Sequence, residues 1–121
     1  NLYEILQNAY EKGIVMSGVS AGAICWFDKG ITDSYAEKLA IIDCLGIVEG
    51  IACPHFDEEN EREPFVNDVI KRKIIKSCIC IEGNCALHIK NNIEYSSIDF
   101  GNGRNCFRVY KENDTLKKVI L

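Results

Sequence analysis

The sequence predicts an α/β fold on three observations. A short apolar run, Ile14-Val15-Met16, leads into Gly18-Val19-Ser20-Ala21-Gly22 and then into a proline-free segment, which is the pattern of a strand, a sharp turn and a helix. Helical spacing of apolar residues occurs before that unit and again after Pro64. The last third alternates apolar and polar residues between turns rich in Asn and Gly, as short strands do.

Taken in order, Asn1 to Lys12 predicts a helix with Leu2, Ile5, Leu6 and Ala9 on one face and Gly13 as its stop. Residues 13–29 form the strand–turn–helix unit, with Ile14 to Met16 as a buried strand, Ala21 to Phe27 as the helix and Lys29-Gly30 as its end. Ile51-Ala52-Cys53 closed by Pro54 predicts a strand end with His55 in the loop beyond it. Phe65 to Lys76 predicts a helix opening after Pro64, with Phe65, Val66, Val69 and Ile70 as its apolar positions. Ser77 to Ile81, Cys85 to Ile89, Ile93 to Ser96, Cys106 to Tyr110 and Lys117 to Leu121 predict strands. Glu82-Gly83-Asn84, Lys90-Asn91-Asn92 and Glu112-Asn113-Asp114 are the turns between them. With no internal repeat, low-complexity tract or linker, residues 1–121 read as one domain or part of one.

Ser20 is the most telling residue. In a nucleophile elbow the serine sits at a sharp strand-to-helix turn, in a backbone conformation strained for any residue with a side chain. Small residues two positions to either side, Gly18 and Gly22, are expected to avoid collisions across the turn. The N–H of Ala21, at the start of the following helix, is placed to hold an oxyanion. A serine hydroxyl is a poor nucleophile near neutral pH and needs a base. The chain has two histidines. His88, in the alternating run Ala86 to Lys90, reads as a solvent-facing strand residue, whereas His55 lies at a strand end where side chains converge on ligands.

Ser20-Ala21-Gly22-Ala23, then Thr32-Asp33-Ser34, then Pro54-His55-Phe56-Asp57 together resemble the serine peptidases that include dipeptidase E and cyanophycinase. The resemblance runs from about Gly13 to about Arg62. It implies a three-layer α/β/α sandwich like that of class I glutamine amidotransferases, and a Ser-His-acid triad that cleaves small peptides. On it, His55 is the general base toward Ser20 and the acid toward the leaving amine. Asp33 is the matched triad acid and is placed ahead of Asp57, whose nearness to His55 suits a local turn contact. Glu58, Glu59, Glu61 and Glu63 read as a solvated acidic stretch. Arg62 stands where dipeptidase E has an arginine that reads the acidic side chain of the substrate, through the two parallel hydrogen bonds a guanidinium offers. The order Ser, Asp, His also occurs in α/β-hydrolases, with many more residues between the first two.

A net charge of −4 gives no electrostatic case for binding nucleic acid or an anionic membrane. No apolar stretch reaches the length of a membrane span, and no signal peptide is visible. Seven cysteines at irregular spacing, without a Cys-x-x-Cys pair, favour reduced thiols in the cytoplasm over a disulfide framework or a metal site. No cofactor is expected, and Gly101-Asn102-Gly103 lacks the lysine and helix of a phosphate loop. The chain begins at Asn1, and the family fold has several strands and a glycine-rich oxyanion loop before the elbow, so the chain is expected to be the C-terminal part of a longer protein. Sheet edges left open would suit a homodimer. The leading reading is a cytoplasmic serine hydrolase acting on short peptides, with acidic ones suggested by Arg62. A non-catalytic binding or regulatory member of the same fold is the rival, and a thiol enzyme using Cys25 or Cys53 a third option.

Overall fold

The computed structural model describes all residues from Asn1 to Leu121. Asn1 caps helix α1 (Leu2–Glu11) by accepting the Glu4 N–H on its side-chain oxygen. Gly13, at φ +82°, ends it. The apolar face of α1 is only partly covered: Leu2 and Ile5 are exposed, and Leu6 and Ala9 are half-buried. Ile14 to Met16 do not form the expected strand: Ile14 and Val15 are exposed, and no strand of the chain lies beside them to complete a hydrogen-bonded ladder.

The elbow helix is shorter than the sequence predicted. Helix α2 covers Ala21–Ile24, and by Phe27 the chain has entered strand β1 (Phe27–Thr32). Lys29-Gly30 is therefore the middle of a strand, not a helix stop. Its reason is packing: Ile24 of α2 lies directly over Gly30, where a Cβ would come within 2.6 Å of the Ile24 side chain. Strands β2 (Ala40–Asp43) and β3 (Val48–Cys53) flank β1, the first antiparallel and the second parallel.

Helix α3 runs Arg62–Lys71, so it opens three residues earlier than expected and holds Pro64 within its first turn, where no N–H is required. The remaining strands fall almost where alternation placed them: β4 (Ser77–Ile81), β5 (Cys85–Lys90), β6 (Glu94–Asp99), β7 (Cys106–Glu112) and β8 (Thr115–Ile120). Asn91-Asn92 and Asn113-Asp114 all have positive φ, the first pair in a three-residue turn between β5 and β6 and the second forming the two-residue turn between β7 and β8. His88 is exposed on β5, as its alternation predicted.

Six strands form one mixed sheet in the order β2-β1-β3-β4-β7-β8, with β1, β3 and β4 parallel; β5 and β6 form a separate hairpin. One face carries α3, and Val66, Val69 and Ile70 pack there with Ile31, Cys53, Cys78, Cys80 and Val109. Burying each such side chain is worth about 1.5–3 kcal/mol. On the other face Ile24, Phe27, Val48, Ala52 and Ile79 form a second cluster, flanked by Leu87, Ile89 and Tyr95 of the β5–β6 hairpin. The chain is thus a mixed α/β structure. One face of the sheet carries α3, and the other is covered by the four-residue helix α2 and the β5–β6 hairpin. No helix is long and apolar enough to cross a membrane.

Candidate active site

Ser20 has φ 56° and ψ −119°, a strained left-handed conformation for a residue with a side chain. Gly18 makes the turn possible. A Cβ there would lie inside the van der Waals radius of the Gly22 carbonyl and 3.0 Å from the Ala23 nitrogen. Gly22 itself has no such constraint, since a Cβ on it would meet nothing within 4 Å. The expectation that both glycines avoid a clash is thus corrected: the collision is between the Gly18 side-chain position and the Gly22 backbone. Beyond the elbow, the N–H groups of Gly22, Ala23 and Ile24 return to Val19 and Ser20 carbonyls, whereas the N–H of Ala21 has no acceptor in the chain and Ala21 is exposed.

His55 follows the carboxyl end of β3, the place where parallel strands deliver side chains to a site. It too is held at positive φ, 54°. Three hydrogen bonds fix that turn. The Phe56 N–H donates to the Ile81 carbonyl at the end of β4, and the His55 carbonyl accepts from the N–H groups of Glu58 and Glu59. The imidazole then reaches Ser20, with Nε2 2.7 Å from the serine Oγ.

Nδ1 of His55 lies 2.9 Å from Oε1 of Glu58. A carboxylate can only accept, so a proton on Nδ1 is donated to Glu58 and Nε2 is left with a lone pair toward the Ser20 hydroxyl. Neither sequence candidate for the acid stands there. Asp57 accepts the Gly83 N–H at 2.7 Å and pairs with Arg104 at 3.1 Å. Asp33, in the turn just past β1, faces Arg62 at 3.7 Å. The correction has a local cause: the left-handed backbone at His55 turns the chain back on itself, so the third residue onward is carried over the imidazole. Glu58 was hidden in the sequence as one of several acidic residues, and the His55-x-x-Glu58 spacing was the signal available.

Arg62 is buried. It is 2% exposed, with Nε donating to Glu59 at 2.8 Å, Nη1 donating to the Ile31 carbonyl at 2.9 Å and Nη2 near Asp33. Burial works against its charge, and Glu59 with the neighbouring Cys53 outweighs that. These contacts tie the start of α3 to the end of β1.

The cysteines are all unpaired. Cys53 is fully buried, and burial pushes its thiol up to about 12. Burial also raises Cys25, whose thiol donates to the Gly22 carbonyl at 3.3 Å. Neither has the lowered thiol pKa that a thiolate nucleophile needs.

A model of peptidase family S51 matches residues 1–94. The "Uncharacterized peptidase YgaJ" of Bacillus subtilis (strain 168) is 35% identical over 120 residues, covering 99% of this chain and 52% of that protein. The chain therefore spans about half the length of this relative. The likeness to dipeptidase E and cyanophycinase, drawn from three motifs, is consistent with both matches. Since the matched region includes the elbow, the histidine turn and Glu58, and the relative aligns over nearly the whole sequence, the chain belongs to peptidase family S51.

Proposed function

We propose that this chain carries the catalytic centre of a serine peptidase that hydrolyses short peptides through an acyl-enzyme on Ser20. The observation that supports this reading is the line of three groups in which Ser20 Oγ lies 2.7 Å from His55 Nε2 and His55 Nδ1 lies 2.9 Å from Glu58. Both spacings are within the range needed for proton transfer and for orienting the base.

As Ser20 Oγ attacks the scissile carbonyl, His55 takes the hydroxyl proton on Nε2. Glu58 holds the ring in place and stabilises the imidazolium, in the role first assigned to Asp33. The carbonyl oxygen becomes an oxyanion against the free N–H of Ala21. His55 gives the proton to the amine as the C–N bond breaks, which leaves an ester on Ser20. Water then transfers a proton to His55 and attacks the ester, and Ser20 recovers its proton as the acid product departs. These steps call for neither metal nor cofactor. With Arg62 buried, the reading carries no preference for acidic peptides. Unpaired cysteines favour a cytoplasmic setting. The parallel β1-β3-β4 core with α3 on one face is compatible with a three-layer sandwich in longer relatives.

The test is hydrolysis of a di- and tripeptide panel followed by chromatography of the released amino acids. Wild type should turn over members of the panel and Ser20→Ala should fall to background. Turnover kept by Ser20→Ala would sink the reading.

A further inference from the structure

Gly83 lies in the turn between β4 and β5, where neither the elbow nor the histidine motif draws attention to it. Its φ is not positive, so backbone conformation does not demand glycine there. Space does. A Cβ on Gly83 would come within 2.6 Å of Cδ, 2.8 Å of Oε1 and 3.0 Å of Cγ of Glu58. Oε1 is the oxygen that meets Nδ1 of His55. The carboxylate of Glu58 is therefore seated between the imidazole on one side and the bare backbone of Gly83 on the other.

The seat is itself braced. Asp57, next to Glu58, accepts the Gly83 N–H at 2.7 Å through one oxygen and pairs with Arg104 at 3.1 Å through the other. Glu82 accepts the Asn105 N–H at 2.9 Å, which ties the same turn to the loop that carries Arg104. Asp99 organises that loop by accepting the N–H groups of Gly101, Asn102, Gly103 and Arg104. A glutamate side chain that is half exposed has several rotamers open to it, and the freedom is removed here by a wall with no side chain.

We infer that Gly83, held by Asp57 and Arg104, is a positioning residue that seats the Glu58 carboxylate on Nδ1 of His55 and so fixes the imidazole tautomer that leaves Nε2 free to accept the Ser20 proton. The inference rests on the proposed serine mechanism for its consequence, though the seating of Glu58 is independent of it. An added methyl at Gly83 meets the end of a flexible side chain, so Glu58 swings away while the fold stays intact.

Long-range proton–nitrogen NMR spectra of the whole chain test it, because the two histidines give separate signals and the exposed His88 serves as an internal reference. In wild type, neutral His55 should carry its proton on Nδ1. Gly83→Ala should move it toward Nε2, leave His88 unchanged, keep the melting temperature within a few degrees, and slow fluorophosphonate labelling of Ser20 by roughly 10- to 100-fold, the usual scale for groups that orient a histidine through its second nitrogen. In the double variant Gly83→Ala/Glu58→Gln, labelling should match Glu58→Gln alone, since both remove one interaction. Asp57→Ala, which adds no atoms, should shift the His55 tautomer in the same direction. An unchanged His55 tautomer in Gly83→Ala and Asp57→Ala overturns the inference, as does an additive loss in the double variant. If wild type fails to label while the tautomer responds as described, the serine mechanism falls and the positioning role stands.

Discussion

Gly18 and Gly22 look equivalent in the motif and are not equivalent in the structure. Replacing Gly18 by Ala puts a Cβ inside the Gly22 carbonyl, and both groups are backbone, so no side chain can yield. The elbow has to open by on the order of 1 Å, a displacement that can cost about 100-fold in a reaction that depends on near-attack geometry. Overpacking of this kind also destabilises by roughly 1–3 kcal/mol, here at the upper end because backbone must move. Gly22→Ala meets empty space within 4 Å and lies in α2, where alanine is better than glycine by about 0.5–1 kcal/mol. Thermal melts by circular dichroism and the rate of fluorophosphonate labelling give both quantities. Gly18→Ala should lose several degrees and about 100-fold in labelling, while Gly22→Ala should melt at or slightly above wild type and label within a few-fold of it. Equal behaviour of the two variants would show that the Gly18–Gly22 backbone contact does not shape the elbow.

Arg62→Lys should destabilise by several kcal/mol, because one ammonium cannot serve Glu59, the Ile31 carbonyl and Asp33 together, and losing a partner of a buried charge network costs about 3–5 kcal/mol; chemical denaturation checks it, and a change in peptide preference at full stability would contradict it. Glu58→Gln keeps the shape beside His55 but can donate where the carboxylate only accepts, so labelling of Ser20 should fall about 100-fold or more. Asp33→Asn should leave labelling within a few-fold of wild type, since Asp33 faces Arg62. Asp99 is held below the ordinary carboxylate range by backbone N–H donors, Asn102 foremost. Its contribution to stability is therefore present above the unfolded value of about 4 and is lost as the pH falls below that toward the lowered folded value. Melting temperature should drop on acidification below about pH 4, and Asp99→Asn should show a smaller drop over the same window.

Ser20 and His55 could be read from the sequence because their chemistry is local: a turn that needs Gly18, and a histidine placed by Pro54 at a strand end. The strands from Ser77 onward were legible for the same reason, as alternation met turns at Asn91-Asn92 and Asn113-Asp114 whose positive φ suits asparagine and aspartate. What failed depended on contacts between distant residues. Phe27 to Thr32 became β1 because β2 and β3 pair with it, where Ala21 to Phe27 had read as helix and Lys29-Gly30 as its end. Ile14 to Met16 carried a strand pattern with no neighbouring strand in the chain to use it. Arg62 was read as a substrate-binding cation, and the Ile31 carbonyl to which it donates lies 31 residues away, beyond what local spacing shows. Glu58 was missed because a left-handed histidine cannot be read from residue types, and Asp33 carried the motif.

On the proposed mechanism, His55, oriented by Glu58, activates Ser20. Intact-mass measurement of fluorophosphonate labelling, with the modified residue mapped by peptide sequencing, tests it most directly. One adduct per chain is expected on Ser20, absent in Ser20→Ala and nearly absent in His55→Ala. A folded wild-type chain that takes no label, or one that labels equally well without His55, would contradict it.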